Sequence, residues 1–587
     1  MKKWLEDIRF FWKNKYYCMA LYLTAVLSYG YLITHQTVGI DDTPYAYYFE
    51  EGLAAIVGRW VMFLVNKVFH VAEFAPFVTD LAGVLIFMAA VTIWCVLMRR
   101  IMGEKVPMWG YILFASLFIS NSLHSEVFTY YLHNGVATGY LFSGISLCCL
   151  WEGWNRWAEI EGGLRQKLCG PGALGSFAFS AICIWIAMGC YESFMIVYLV
   201  GVCVILCTAR MQGWHMRKES FGGEKEKWNG VFKGADIWVA LCIAAVVAVV
   251  GFVLRSLMVS GITAVFDLEY LTDDAVQRSI TEMMGWMQDP ENAGLFGMLM
   301  KRIFVMYGVF AYAYYPIAIY VLASVLIGVI CLWMSIRRRD LWITVLGIGS
   351  FIASYLLVVV EGKATLYRAA QFLPLVSAWG LLLAVYGGRG IAEYLKDKYI
   401  KIGKKAATTV ETIICLSLVI ILWNQCTDMN KWFYVDDMKY ENAKNTVDQI
   451  AYELEGSFDL SKPVVFTGTY QIPKSIIQDA YVDYKSETYY KMLAITSLID
   501  PHLLEKYYRD YGVWVAQTPA LSVIDWGKAA FDTSQELVKF FAMHGHTILP
   551  VTDWDIFLEA VDYSHTMPSF PKEGAIVDVG DYIIVKF

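Results

Sequence analysis

Between Ile237 and Leu254 the chain reads Ile-Trp-Val-Ala-Leu-Cys-Ile-Ala-Ala-Val-Val-Ala-Val-Val-Gly-Phe-Val-Leu, without a charged side chain. A helix that is apolar on every face has no side to offer to water. About 20 such residues cross a hydrocarbon core of about 30 Å. The stretch therefore reads as a transmembrane span. Working outward, similar blocks occur near Cys18–Thr34, Pro76–Leu97, Val106–Ile119, Gly135–Leu150, Ala173–Gly189 and Phe194–Thr208 on one side. On the other side lie Ala311–Ile336, Leu341–Val360, Ala369–Tyr386 and Thr408–Trp423, which makes about eleven spans.

The composition agrees. Of 587 residues, 58% are apolar and 17% charged, with a mean hydropathy of +0.47, the balance of a polytopic α-helical membrane protein. No basic run with interleaved aromatics points to nucleic acid. The net charge of −7 says little about partners, because a membrane divides it between two compartments. Met1–Tyr17 is basic and aromatic, and no small-residue cleavage site follows, so the first span reads as uncleaved.

Short loops rich in Lys and Arg stay in the cytoplasm. With the amino terminus inside, the inner segments hold 26 basic residues and the outer loops before the tail hold 8. The residues after Trp423, with 13 more, then lie outside. All 13 Cys fall at or before Cys426, so the outer tail is almost free of them. An exported segment without disulfides fits a bacterial cell membrane better than a eukaryotic secretory lumen. Cys148 and Cys149 read as small buried hydrophobes, since no Cys or His spacing suits a metal.

The chain thus divides into a membrane domain, residues 1–423, and an extracytoplasmic α/β domain, residues 424–587. In the tail, Pro463–Phe466 and the pair Ala575–Val579 and Tyr582–Val585 read as strands. The latter two make a hairpin at Gly580-Asp581, and Asn442–Leu454 reads as a helix. Two outer loops, Gln36–Ala75 and Arg255–Phe310, are too long for simple connectors. In the first, Thr43 and Pro44 start an interfacial helix. The second carries an acidic amphipathic stretch, Asp267 to Met287, ended by Asp289-Pro290.

Chemistry concentrates on the outer side. Asp41 and Asp42 are adjacent carboxylates where the chain leaves the first span. Either Asp42 and Thr43 simply cap the surface helix, or one carboxylate takes a proton from an attacking hydroxyl while its neighbour orients it. A metal pair is a third reading. Arg59 follows 18 residues later, about 27 Å along an unbroken helix, so a break at Gly52 or Gly58 is needed to bring it near. Lys363, Tyr367, Arg368 and Gln371 form a second cluster. Arg368 and Gln371 share one helix face, and cations at headgroup depth either bind a phosphate or snorkel to water. Glu126 with Tyr130, and Glu192 in a short hinge, add smaller signals. Glu192 would complete an acidic pocket with Asp41. His124 and His133 read as ordinary interfacial polar residues.

Gly39-Ile-Asp41-Asp42-Thr-Pro-Tyr45 followed by Gly58-Arg59-Trp60 resembles the opening of the glucosyltransferase II-type family of membrane glycosyltransferases, within the GT-C superfamily. Further matches come in order: Glu126 with Tyr130, Tyr191-Glu192-Ser193-Phe194, and Arg368 with Gln371 and Pro374. After the last span come Asp428-Met-Asn430-Lys-Trp-Phe433-Tyr434 and Lys462-Pro-Val-Val-Phe466. Glu192 departs from the Gln that the family more often has there.

The resemblance implies a GT-C-like fold. It also implies an enzyme that moves a sugar, glucose by the family's name, from a polyprenyl-phosphate carrier to a hydroxyl of a cell-surface glycan or glycopolymer. On that reading Asp41 or Asp42 is the base. Arg59, Lys363 and Arg368 hold the phosphate, and Glu126, Glu192, Tyr367 and Gln371 belong to the substrate site. No cofactor is required and a divalent metal is not demanded. Membrane lipids are the other partners. The rival reading is a transporter or flippase of lipid-linked sugars, which would show symmetric halves and charges within the spans.

Overall fold

The computed structural model describes residues 2–35, 37, 58–69, 76–129, 133–160, 170–214, 235–265, 317–361, 369–398, 403–468, 470 and 535–587. Asp41, Asp42, Tyr130, Lys363, Tyr367 and Arg368 lie outside these residues. So do the side chain of Glu126, the expected interfacial helix after Thr43, and the stretch from Asp267 to Met287.

The first part is a helical bundle. In chain order it comprises α1 (Lys2–Trp12), α2 (Lys15–Thr34), α3 (Trp60–Val68), α4 (Pro76–Met102), α5 (Met108–Ile119), α6 (Leu123–Phe128), α7 (His133–Glu159), α8 (Pro171–Cys190) and α9 (Phe194–Met211). It continues with α10 (Ala235–Val265), α11 (Ile317–Arg338), α12 (Trp342–Ser354), α13 (Leu356–Glu361), α14 (Leu373–Lys398) and α15 (Gly403–Ser457). Local chemistry starts these helices where the sequence allows it. Asn14 caps α2 by accepting from the backbone N–H groups of Tyr16 and Tyr17 at 3.0 and 3.1 Å. Proline opens α4 and α8, where its missing N–H costs nothing.

As far as they are described, the expected spans each correspond to one helix or, for Leu341–Val360, to two, with ends that shift by a few residues. Seven helices among the described residues are long and apolar enough to cross a membrane, and α5 and α12 are shorter apolar helices. The chain is a multi-pass membrane protein. Three boundaries differ from expectation. The stretch Leu341–Val360 is interrupted at Tyr355, between α12 and α13. Helix α10 does not stop at Leu254 but runs to Val265, so Arg255 stands on a helix rather than opening a loop. Helix α15 does not end at Trp423; it continues for 55 residues in all, about 80 Å at 1.5 Å per residue.

The polar half of α15 therefore leaves the bilayer without a break at the expected 423/424 boundary. It stays attached to α2, because Tyr31 Oη donates to Asp437 Oδ2 at 2.7 Å and Cys426 Sγ lies 3.3 Å from Ser28 Oγ. Beyond that point an apolar stripe on α15, Ala443, Val447, Ile450, Ala451 and Leu454, follows the three- and four-residue spacing of one helix face.

That stripe covers one face of a four-stranded sheet. The strands are β1 (Pro463–Thr467), β2 (Leu549–Pro550), β3 (Ile576–Asp578) and β4 (Ile583–Lys586), in the order β2-β1-β4-β3. Strand β1 runs parallel to β2 and β4, while β3 and β4 form the antiparallel hairpin expected at Gly580-Asp581. Alternation sorts the side chains. Val464, Phe466, Ile583 and Val585 face α15 and α16 (Gln535–Met543). Val465 and Ile584 face Ala560 of α17 (Trp554–Ser564).

Candidate active site

Three stretches far apart in sequence converge at the end of the bundle where α8 turns into α9. Gly58 has a φ of +88° just before α3 and Arg59 stands at the helix start, while the expected helix before Gly58 lies outside the described residues. Trp60 then packs on Trp185 of α8 at 4.9 Å between ring centroids. Gly189 permits this approach, since a Cβ there would lie 2.6 Å from Trp60 Nε1.

The α8–α9 turn supplies the next two groups. The Arg59 guanidinium lies over the Tyr191 ring at 4.1 Å, a cation–π contact. Its Nε donates to Glu192 Oε2 at 3.4 Å, while Nη2 of Arg255 donates to Glu192 Oε1 at 2.8 Å. Glu192 thus bridges two arginines; Asp41, its expected partner in an acidic pocket, lies outside the described residues. Two guanidinium groups stabilise the carboxylate, which makes the cluster suited to anions.

The sequence does not single out Arg255, because the end of the apolar run at Leu254 puts it at the start of a loop. The available signal was a single Arg inside an apolar helix, a placement that is costly unless the charge has a use. Asp80, four residues into α4, carries the same signal. It lies 3.3 Å from Nε2 of His133.

His124 and His133 are both buried among protein side chains. Helix α6 tucks beneath α7, which packs His124 edge-on against Phe87 at 4.5 Å and Tyr140 at 5.5 Å. His124 Nε2 bonds to the carbonyl of Phe118 at 3.1 Å, and burial pushes the imidazole down to about 3, so the ring stays neutral.

Gln371 is also buried, in the turn before α14 rather than on a helix face. Its carbonyl accepts from Tyr140 Oη at 2.7 Å, and the Tyr140 ring meets Phe194, two residues beyond Glu192, at 5.1 Å. Gln371 therefore belongs to the same end of the bundle as Glu192. Neither polar atom of its side-chain amide has a partner among the described residues, a cost of about 1–3 kcal/mol that marks it for interaction. Of the nine residues singled out in the sequence, the structure thus describes the side chains of Arg59, Glu192 and Gln371. It joins the first two directly and the third through Tyr140 and Phe194. Among the described residues, no group of three or more His, Cys, Asp or Glu comes together that would hold a metal.

A helical bundle with long apolar helices, an arginine–carboxylate cluster at one end and a small α/β layer joined through α15 defines a multi-pass membrane protein. Residues 30–385 match the model of the family described as glucosyl transferase GtrII, and the chain belongs to that family. It is a membrane glycosyltransferase. No curated protein matches the chain. Among solved structures, the archaeal oligosaccharyltransferase AglB from Archaeoglobus fulgidus, in complex with an inhibitory peptide and a dolichol-phosphate, is similar at 9% identity with a TM-score of 0.37. That match covers 78% of this chain, which spans 62% of the archaeal protein's length. ArnT from Cupriavidus metallidurans, bound to undecaprenyl phosphate, is similar at 12% identity with a TM-score of 0.32, over 87% of this chain and 96% of that one. At this level of likeness neither assigns a role to any residue of this chain.

Proposed function

We propose that the protein transfers a sugar, glucose by the family's name, from a polyprenyl-phosphate carrier to a hydroxyl of a cell-surface glycan or glycopolymer. The observation that carries the reading is the family match over residues 30–385, which contains all nine candidate residues from Asp41 to Gln371. The bridged arginines beside Glu192 support an anionic carrier at the same end.

The basic residues support the orientation. At the end away from Glu192, α4 closes on Arg99 and Arg100, α9 carries Arg210 in its last turn, and α11 carries Arg337 and Arg338. By the positive-inside rule that end is cytoplasmic and Glu192 faces out, in a bacterial cell membrane. The layer formed by the end of α15 and the sheet then stands outside the cell as part of an extracytoplasmic domain, over the site or against the acceptor.

In the reaction, Asp41 or Asp42 takes the proton of the acceptor hydroxyl as its oxygen attacks the anomeric carbon. The carbon–oxygen bond to the phosphate breaks, and the phosphate leaves with an added negative charge. Arg59, Arg368 and Lys363 offset that charge. Glu126, Glu192, Tyr367 and Gln371 belong to the sugar and acceptor site. The leaving group is a phosphate monoester and the base a carboxylate, so no metal or other cofactor is demanded.

The test is transfer from a synthetic polyprenyl-phosphate glucose to surface-polymer fragments by purified protein. Asp41→Asn and Asp42→Asn are each compared with wild type. Loss of about 10²- to 10⁴-fold in one of them, with the fold intact, is expected. Full transfer in both variants overturns the base assignment. Movement of intact carrier across a vesicle membrane without sugar transfer would instead establish the flippase reading.

A further inference from the structure

We infer that Arg255 is a second anchor for the carrier's phosphate, and that Glu192 holds the anion position between Arg59 and Arg255 until that phosphate replaces it. This rests on the reading above and extends it to a residue and an exchange step.

The geometry is that of an anion site occupied by an internal carboxylate. Each guanidinium engages a different oxygen of Glu192, at 3.4 Å from Arg59 and 2.8 Å from Arg255. Carboxylate and phosphate present similar pairs of oxygens to Arg, so one can take the place of the other. The three groups are not equally fixed. The Glu192 side chain is 38% exposed, against 24% for Arg59 and 17% for Arg255. Water screens a pair this exposed, so a phosphate of higher charge can displace the carboxylate.

The arginines, by contrast, are supported independently of Glu192. Arg59 rests on the Tyr191 ring. Arg255 projects from α10 against Gly58, where an added Cβ would lie 2.2 Å from its Nη2. Gly58 therefore serves two ends, the left-handed turn before Arg59 and the passage of Arg255. When Glu192 swings out of its three-residue turn, both guanidinium groups stay in place. The phosphate monoester released by transfer, with about two negative charges, suits two arginines better than one carboxylate does.

Full-length protein in nanodiscs is titrated with undecaprenyl phosphate, with inorganic phosphate and phosphatidylglycerol as separate arms. Arg255→Gln should weaken undecaprenyl phosphate binding about tenfold, and Glu192→Gln should tighten it about three- to tenfold. A purely structural bridge predicts no tightening, so weaker or unchanged binding in Glu192→Gln overturns the exchange. If that variant does not fold, Glu192→Asp, too short to reach both arginines, should tighten binding in the same direction. Inorganic phosphate bound as tightly as the lipid would overturn the assignment to a carrier, and phosphatidylglycerol bound equally well would reduce the site to lipid headgroup contact and overturn it too. The two readings fail separately. Unchanged carrier affinity in Arg255→Gln, with sugar transfer intact, sinks this inference alone. The expected binding pattern without any sugar transfer sinks the proposed reaction alone.

Discussion

Arg210 and Asp340 form a buried ion pair at the end of the bundle opposite Glu192. Nη2 of Arg210 meets Asp340 Oδ2 at 2.6 Å and Nε meets the same oxygen at 2.7 Å. The other carboxylate oxygen accepts the backbone N–H of Trp342 at 3.2 Å, at the start of α12. One aspartate therefore neutralises the α9 cation and begins the helix that packs on α9.

Removing one member of a buried pair leaves the other charged and unpaired, which costs about 3–5 kcal/mol. Asp340→Ala is expected to lower stability by that amount in thermal unfolding of the detergent-solubilised protein. The double change Arg210→Met with Asp340→Leu should recover most of it, because no stranded charge remains. A loss below about 1 kcal/mol for Asp340→Ala would contradict the pairing.

Helices α11 and α14 meet where Gly380 faces Ala323. A Cβ at Gly380 would lie 2.7 Å from the Ala323 carbonyl oxygen and 2.8 Å from its Cβ. Backbone atoms cannot rotate aside, so the helices must separate, and close approach through small residues is what holds membrane helices together. Gly380→Ala should destabilise by about 1–3 kcal/mol, the usual cost of overpacking. Gly175, with nothing within 4 Å of its added Cβ, is the matched control, and Gly175→Ala should leave the unfolding temperature unchanged.

The buried imidazole of His124 gives a sign to the response to acid. Its folded value of about 3 lies below the ordinary 6.5, so the unfolded chain binds the proton first. Stability from the neutral ring is fully present above about pH 6.5 and is lost progressively as pH falls toward 3. Each unit in that window costs about 1.4 kcal/mol, hence about 2 kcal/mol by pH 5. Protonation would place an N–H at Nδ1, which has no partner among the described residues. His124→Gln should flatten the loss between pH 6.5 and 5 in unfolding measurements, and an unchanged slope would show that other groups set it.

Much of the architecture is legible in the sequence because it is written locally. Apolar runs mark helices, and Gly580-Asp581 marks a hairpin. The errors share one cause. Hydropathy reports where the solvent changes, and a helix has no obligation to end there. Helix α10 continues through Arg255 and α15 through Asn424 because the backbone hydrogen bonds and one packed face persist after the apolar composition stops. That His124 is enclosed by aromatic rings is likewise not written in its neighbours, because the rings of Phe87 and Tyr140 come from other helices.

What the sequence by itself determined was the kind of protein, a multi-pass helical membrane chain whose motifs resemble the glucosyltransferase II-type family, since periodicity, composition and motif order are properties of neighbouring residues. Only the tertiary structure decided that Glu192 is shared by Arg59 and Arg255 and that Gln371 joins them through Tyr140 and Phe194. Those contacts span 54 to 231 residues of sequence, and which groups meet across such distances is set by how whole helices pack.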